Sequence, residues 1–291
     1  MRSYLQQRIH KIVGLKENPV NFSAPLGDKG LFGPESVVWR VHSDFSSMLV
    51  GGITALYLQM IHPNVLAGVW DHSHFRQDLA GRLKRTAQFV SAVSFGPTEA
   101  AHRMLQMIRQ LHDPVKGVTQ SGEPYRANDP ELLLWVHATQ CYGYLQAHQR
   151  YRSQPLTEPQ IAQYLAEYQQ VLVGLGGEPV QWQGWDDLVA YLESQLPKLC
   201  GGDRVTEVYH ILKTEMRTGQ NRSVVGGLFL QAALDLVPSW GQHFFDYQPS
   251  KIGVAARTQL VLNMAQLLRW ASTESAAKKA YQRVSAGSTA K

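Results

Sequence analysis

Cysteine is scarce in this sequence, and long apolar runs are missing. Among 291 residues there are two cysteines, Cys141 and Cys200, which lie far apart and outside any C-x-x-C motif. This excludes a disulfide scaffold and a cysteine-based zinc site, and it suits a reducing compartment. No stretch approaches the roughly 18 uncharged apolar residues of a membrane span, and the first residues lack the apolar core of a signal peptide. We therefore expect a cytoplasmic protein without a transmembrane segment.

Clustered charge and the common catalytic motifs are also missing. The 28 Lys and Arg residues give a formal net charge of +5, but they are spread along the chain. We expect no nucleic-acid partner, because such binding needs clustered phosphate contacts, whereas a mildly basic surface allows weak peripheral membrane contact. The sequence has no G-x-S-x-G or H-E-x-x-H motif, and "GLGGEP" does not follow a strand pattern. Serine-hydrolase, zincin and dinucleotide-binding functions are therefore not indicated.

Helical periodicity dominates after a lead-in that is rich in Gly, Pro and Asn. Strand alternation is scarce, so we predict a single all-α domain. We divide the chain into an extended N-terminal segment (1–35), a helical domain (36–275) and a flexible basic tail (276–291). One helix begins at Pro130, with Asp129 as its capping residue. The other helices are predicted at 44–61, 76–94, 98–112, 157–174, 184–195, 203–215, 223–236 and 252–272.

Histidines are numerous in the stretch "IHPNVLAGVWDHSHF". His72 and His74 form an H-x-H pair, and His62 lies ten residues before the first of them. With Asp71 or Asp78 these imidazoles can form a non-haem metal site. A polar loop or helix start is the alternative interpretation, because residues two apart on a helix face different ways.

The stretch "GRLKRT" places two guanidinium groups and a hydroxyl on one helix face. Arg82, Arg85 and Thr86 fall at positions i, i+3 and i+4. They can line a buried cavity and donate hydrogen bonds to an oxyanion or to dioxygen. The alternative is an ordinary hydrated helix end.

The stretch "IRQLHDPVKG" sets one imidazole between two cations. His112 can ligate a haem iron, and Arg109 and Lys116 can pair with haem propionates. Pro114 should end the helix at this point, which makes the helical spacing of Lys116 insecure. A core histidine near a helix end is the alternative interpretation. His137, on the next helix, can likewise ligate a metal or make a hydrogen bond in the core.

Several stretches together resemble a known family. In order along the chain they are "GLFGPESVVWRVHSD", "GGITALYLQMIHPNVLAGVWDHSHFRQD", "GRLKRT", "IRQLHDPVKG", "YRANDPELLLWVHAT" and "LVPSW". This order resembles the MpaB-type oxygenase family, which shares its catalytic domain with rubber oxygenase (latex-clearing protein). The resemblance implies an all-α fold, globin-like in general style, that holds haem b and activates dioxygen to cleave carbon–carbon double bonds.

The resemblance also implies roles for individual residues. His112 would be the proximal iron ligand in an Arg-x-x-His-x-x-x-Arg pattern, with Arg109 matching and Lys116 replacing the last arginine. Arg82 and Thr86 would face the open side of the iron. Arg85 stands where rubber oxygenase has a lysine. His137 lies in a recognisable family stretch, so a place near the haem or as an alternative ligand stays open.

One family feature is missing. Rubber oxygenase has a glutamate upstream of its distal arginine as a candidate base, whereas the helical domain here has no glutamate before Arg82, and Asp71 and Asp78 are the nearest acids. The first hypothesis is a haem-dependent oxygenase that acts with dioxygen on a hydrophobic, isoprenoid or lipid-like small molecule. The second is a non-catalytic haem-binding sensor or carrier, which the missing glutamate favours. The third is a non-haem metal protein that uses His62, His72 and His74.

Overall fold

The computed structural model describes residues 19–218, 224–271 and 274–288, and it is all-α, as predicted. Within these residues there are thirteen α-helices and one two-stranded hairpin. The helices are α1 Val37–His42, α2 Phe45–Met60, α3 Pro63–His72, α4 Leu79–Phe95, α5 Thr98–His112, α6 Pro130–Tyr151, α7 Glu158–Gly174, α8 Trp185–Ser194, α9 Asp203–Thr218, α10 Val224–Leu234, α11 Ser239–Gln242, α12 Lys251–Ala271 and α13 Ala276–Ser288. The antiparallel strands are β1 Lys116–Val118 and β2 Pro124–Arg126.

Local capping signals explain where the predicted helices begin. Asp129 accepts a hydrogen bond from the backbone of Glu131 at the start of α6, and Pro130 occupies the first turn. The predicted helix 44–61 ends just before Pro63, and this proline occupies the first turn of α3, where it costs no hydrogen bond. Helices α1, α3, α11 and α13 and the hairpin are not among the predicted elements.

Helices α2 and α6 cross at the centre of the molecule. The backbones meet at Gly51 and Gly143, where a Cβ on either glycine would collide with the carbonyl oxygen of the other. Side chains then join this pair to the following elements: the Thr54 hydroxyl donates to the carbonyl of Ala233 in α10 at 3.0 Å. The largest cluster of buried apolar side chains surrounds this crossing. The crossing thus depends on the absence of two side chains.

The C-terminal helix corrects one prediction. The tail 276–291 is predicted to be flexible, but residues up to 288 form α13, which packs on the N-terminal segment. The Arg283 side chain is buried and donates hydrogen bonds to the carbonyl groups of Phe22, Asp28 and Phe95 at 2.8–2.9 Å. The small polar residues of the tail do not predict this packing. It depends on hydrogen bonds from one arginine to carbonyl groups more than 180 residues away in the sequence.

The described residues contain no single helix that is long and apolar enough to cross a membrane. One pair, α2 with α3, passes that test together by length and composition, and it is bent by 100°.

Candidate functional site

Two adjacent helices bring together the two cationic motifs of the sequence. Asp78 caps α4 by accepting from the backbone N–H of Gly81 at 2.8 Å, which sets Arg82 in the first turn. Helix α5 packs against α4 and ends at His112, two residues before Pro114. Arg82 is close enough for its charge to act on the His112 imidazole. The structure therefore places Arg82 and His112, which belong to separate sequence motifs, close together.

The two nitrogens of the His112 ring differ in their surroundings. Nδ1 is buried and has no partner at normal hydrogen-bond geometry, whereas Nε2 is not buried in this way. Burial lowers the pKa of His112 below its ordinary 6.5. Hydrogen bonding by Asn128 and the charge of Asp113 oppose the shift, and the Arg82 charge adds to it. The ring is thus neutral at neutral pH, the form that binds metals.

Asn128 crosses from the loop before α6 to the end of α5. Its Nδ2 donates to the carbonyl oxygen of Arg109 at 3.0 Å and to Oδ1 of Asp113 at 2.7 Å. Its Oδ1 is buried and makes no hydrogen bond of normal geometry. The amide interacts with His112, but this contact also falls outside normal geometry. Two acceptors thus hold the nitrogen side of the amide and leave its oxygen unsatisfied.

Arg82 is a partly buried cation without a carboxylate. Its Nη1 donates to the Ser73 hydroxyl at 2.5 Å, and no ion pair involving Arg82 is found within the described parts of the chain. Burial lowers the pKa of Arg82, and the nearby charge of Arg85 adds to this effect. A guanidinium with unused donors beside a neutral imidazole is an arrangement suited to an anionic oxygen atom.

Arg85 and Thr86 lie on the exposed side of α4. Arg85 forms an ion pair with Asp78 at 3.2 Å, and both side chains are more than half exposed. The Thr86 hydroxyl donates to the carbonyl oxygen of Arg82, one turn earlier, at 3.1 Å. These two predicted catalytic residues therefore flank Arg82 rather than sharing its enclosed position.

The two cations on either side of His112 are exposed and point to different neighbours. Arg109 packs on the backbone of Gly176, where a Cβ in place of the glycine hydrogen would come within 3.3 Å of Arg109 Cζ. Lys116 lies in β1, beyond the end of the helix, and its carbonyl oxygen is 3.2 Å from Nε2 of His72. The helical relation of Lys116 to His112 is therefore broken, as the intervening Pro114 requires.

His137 lies apart from this site, in the core. Its ring stacks on Tyr168 with centroids 5.2 Å apart and lies 6.2 Å from the ring of Trp182. Its Nε2 is 3.4 Å from the sulfur of Cys141. Burial lowers the pKa of His137 to about 3. No described contact joins it to His112 or Arg82, so its predicted cofactor role gains no support from this placement.

The histidines of the H-x-H stretch do not converge. His62 is buried beside the ring of Trp135, at 5.7 Å between centroids, whereas His72 and His74 are exposed. Within residues 19–218, 224–271 and 274–288, no three His, Cys, Asp or Glu side chains are grouped as a metal site would require. A preformed metal site built from these three histidines is therefore not supported.

The two acids nearest upstream of Arg82 are both engaged. Asp71 accepts a 2.8 Å hydrogen bond from the hydroxyl of Tyr125 in β2. Asp78 caps α4 and pairs with Arg85. Neither side chain is thus a free base in the position that the missing glutamate would take.

Sequence reasoning missed Ser73 and Asn128. Ser73 stands inside the H-x-H motif, and its value as a partner of Arg82 depends on the turn between α3 and α4. Asn128 precedes the capping residue of α6, and it reaches α5 across the hairpin, 15 to 19 residues along the chain. Nothing in the local sequence signals either contact.

Comparison with known proteins assigns the chain to a family. A family model described as the catalytic domain of the ER-bound oxygenases mpaB/B' and of rubber oxygenase matches residues 39–273, which is most of the chain. No curated protein and no solved structure gives a match. The chain belongs to the mpaB and rubber oxygenase catalytic-domain family.

Proposed function

We propose that this protein is a haem-dependent oxygenase in which His112 is the axial iron ligand. Membership of the family supports oxygenase chemistry, which implies dioxygen and a small-molecule substrate. The observation that carries the proposal is the pairing of a neutral imidazole, His112, with Arg82, a cation that lacks a carboxylate.

The residues at the end of α5 fit a haem. A haem iron takes one neutral imidazole nitrogen as its axial ligand, and Nε2 of His112 is the nitrogen that is not enclosed. Haem also carries two carboxylates, and Arg109 lies exposed one turn before His112. Arg109 and Lys116 are the cations that we assign to the propionates. When bound, haem b supplies the iron centre that activates dioxygen.

In the proposed reaction, Arg82 donates hydrogen bonds to negatively charged oxygen. Its guanidinium stays protonated throughout the physiological range, so it can donate hydrogen bonds but cannot act as a base. Its fixed bond to Ser73 holds the remaining donors in place. Such preorganised donors stabilise negative charge that develops on oxygen, because they need no reorientation during the reaction.

We expect a hydrophobic substrate, of isoprenoid or lipid-like character. Two apolar side chains one turn apart on α5 are exposed: Met107 is 45% and Leu111 is 58% exposed. Exposed apolar side chains that are contiguous mark surfaces where apolar ligands or partners bind. They give such a substrate a surface to contact on the same helix that carries His112.

A haem titration tests the proposal. The full chain, the His112→Ala variant and the His102→Ala variant are titrated with haemin, and spectra are recorded before and after dithionite and carbon monoxide. His102 is an exposed histidine on the same helix and serves as the matched control. We expect one haem per chain and a carbon monoxide-sensitive Soret band in the wild type and the control, and loss of both in His112→Ala. Equal binding by all three proteins, or none, would contradict the proposal.

A non-catalytic haem carrier is the second candidate. It is favoured by the engagement of Asp71 and Asp78, the two acids nearest upstream of Arg82. Oxygen uptake by the haem-loaded protein with isoprenoid substrates separates the two functions. Substrate-dependent uptake that Arg82→Leu abolishes supports the oxygenase, and haem binding without any uptake supports the carrier.

A further inference from the structure

The carboxamide of Asn128 is fixed in orientation by its two acceptors. Arg109 offers a carbonyl oxygen and Asp113 a carboxylate oxygen, and neither atom can donate a hydrogen bond. Only the amide nitrogen can therefore face them. The oxygen of Asn128 must point away from these two acceptors, and there it is buried and short of a donor.

His112, which interacts with Asn128, also carries an unsatisfied buried ring nitrogen. Asn128 interacts with the His112 ring, and Nδ1 of that ring is buried without a partner. Both atoms thus carry the cost of a buried polar group, and a hydrogen bond between them removes both costs at once. Because the amide oxygen can only accept, the ring nitrogen that meets it must carry the hydrogen.

We propose that Asn128 is a positioning residue: its amide oxygen holds the hydrogen of His112 on Nδ1 and so leaves the lone pair of Nε2 free for a metal. The inference rests on the proposed function for the metal, but its first consequence, the tautomer of His112, exists without any cofactor. Metal-ligating histidines commonly donate their other N–H to a fixed acceptor, which sets the tautomer and the ring orientation. Here the acceptor comes from the loop before α6.

The Asn128 side chain has two roles in this proposal: its nitrogen donates to Arg109 and Asp113, and its oxygen accepts from His112. Two variants test these roles separately. Asn128→Leu removes the amide nitrogen and the amide oxygen. Asn128→Asp removes the donor to Arg109 and Asp113 but keeps an acceptor oxygen toward His112. Both variants lose the structural bonds, so a merely structural role predicts the same outcome for both. Should repulsion between the introduced carboxylate and Asp113 prevent folding, the exchange Asn128→Asp with Asp113→Asn restores a donor–acceptor pair.

The tautomer is read in the haem-free full chain by two-bond ¹⁵N–¹H correlation at pH 8, with the His112 signals assigned from a His112→Gln variant. We expect the Nδ1–H form in the wild type, in Asn128→Asp and in the control Asn263→Leu, which alters an exposed asparagine on α12. We expect Asn128→Leu to shift toward Nε2–H. An Nε2–H wild type, or an Asn128→Leu variant that keeps Nδ1–H, would overturn the proposal.

Haem affinity gives the second readout. Loss of such an outer partner weakens metal binding by about 10- to 100-fold, and we expect this loss in Asn128→Leu, with partial rescue in Asn128→Asp. Equal affinity of Asn128→Leu and the wild type would overturn the positioning role. A wild type that takes up no haem yet shows the Asn128-dependent tautomer would refute the proposed function while supporting the hydrogen bond.

Discussion

Individual histidines in this chain differ by what surrounds each ring. His42 is buried with Nδ1 2.7 Å from the Ser94 hydroxyl and Nε2 2.9 Å from the Tyr164 hydroxyl, so both of its nitrogens have partners. His112 instead has one enclosed nitrogen without a normal partner and one that is not enclosed. Unlike His42, His112 has a nitrogen free to ligate a metal and a cation, Arg82, close to the ring, and the sequence alone does not separate the two histidines.

The position of Arg82 predicts opposite effects on stability and on binding. A partly buried guanidinium without a carboxylate is costly, so Arg82→Leu should leave the free energy of unfolding unchanged or raise it by up to about 1 kcal/mol. Haem affinity or oxygen uptake should fall in the same variant. Denaturant unfolding and the haem titration measure the two effects. The control is Arg103→Leu, an exposed arginine on α5 paired with Glu99.

A clear loss of stability in Arg82→Leu, without a change in haem affinity, would show that Arg82 has only a structural role. The lack of a carboxylate partner for Arg82 would then be unrelated to haem binding.

At the scale of elements, the sequence predicts helices well where their ends carry local signals. Asp129 is predicted to cap α6 and does so, because capping depends on residues three apart or fewer, and the helix predicted at 157–174 begins after its capping residue Thr157. The helix predicted at 76–94 instead begins after Asp78, which caps α4. Helix α13 and the hairpin instead make bonds to residues distant in sequence: Arg283 donates to the carbonyl groups of Phe22 and Phe95, and Tyr125 of the hairpin donates to Asp71. The site follows the same division: His112 and Arg82 stand in recognisable motifs, whereas Ser73 and Asn128 acquire their roles only through the packing of α3, α4, α5 and the hairpin.

The crossing of α2 and α6 predicts opposite effects for two neighbouring glycines. A Cβ at Gly51 would lie 2.6 Å from the carbonyl oxygen of Gly143, which is rigid backbone, so Gly51→Ala should lower the free energy of unfolding by about 3 kcal/mol. A Cβ at Gly52 meets only the Tyr144 ring at 3.8 Å. Gly52→Ala should therefore stabilise the protein by up to about 1 kcal/mol through helix propensity. Urea unfolding compares the pair, and similar values for both would refute this crossing.

For the whole molecule, buried neutral histidines predict sensitivity to acid. Burial lowers the pKa of His42 and of His137 to about 3, and the charge of His148 adds to the shift of His42. Each ring takes up a proton on unfolding once the pH falls below the unfolded value of about 6.5. They therefore carry no protonation penalty well above pH 6.5, and they destabilise the folded protein progressively as the pH falls from 6.5 toward 3.

The expected size of this effect is about 2 kcal/mol per histidine between pH 8 and pH 5. The two rings together should lower the free energy of unfolding by about 4 kcal/mol over that range, and His62 and His148 shift in the same direction. His137→Phe keeps a ring in the stack with Tyr168 and should remove about 2 kcal/mol of the pH dependence. Denaturant unfolding at both pH values measures it, and an unchanged pH dependence in His137→Phe would contradict the buried neutral state.

The central claim for the whole molecule is that this oxygenase-family domain holds haem through His112. The most direct measurement is the iron–histidine stretching band in the resonance Raman spectrum of the ferrous, haem-loaded protein. We predict that the wild type shows the band, that His112→Gly lacks it, and that added imidazole restores it by filling the vacated position. A His112→Gly protein that keeps the band without imidazole would show that another residue ligates the iron, and the account of the site would be wrong.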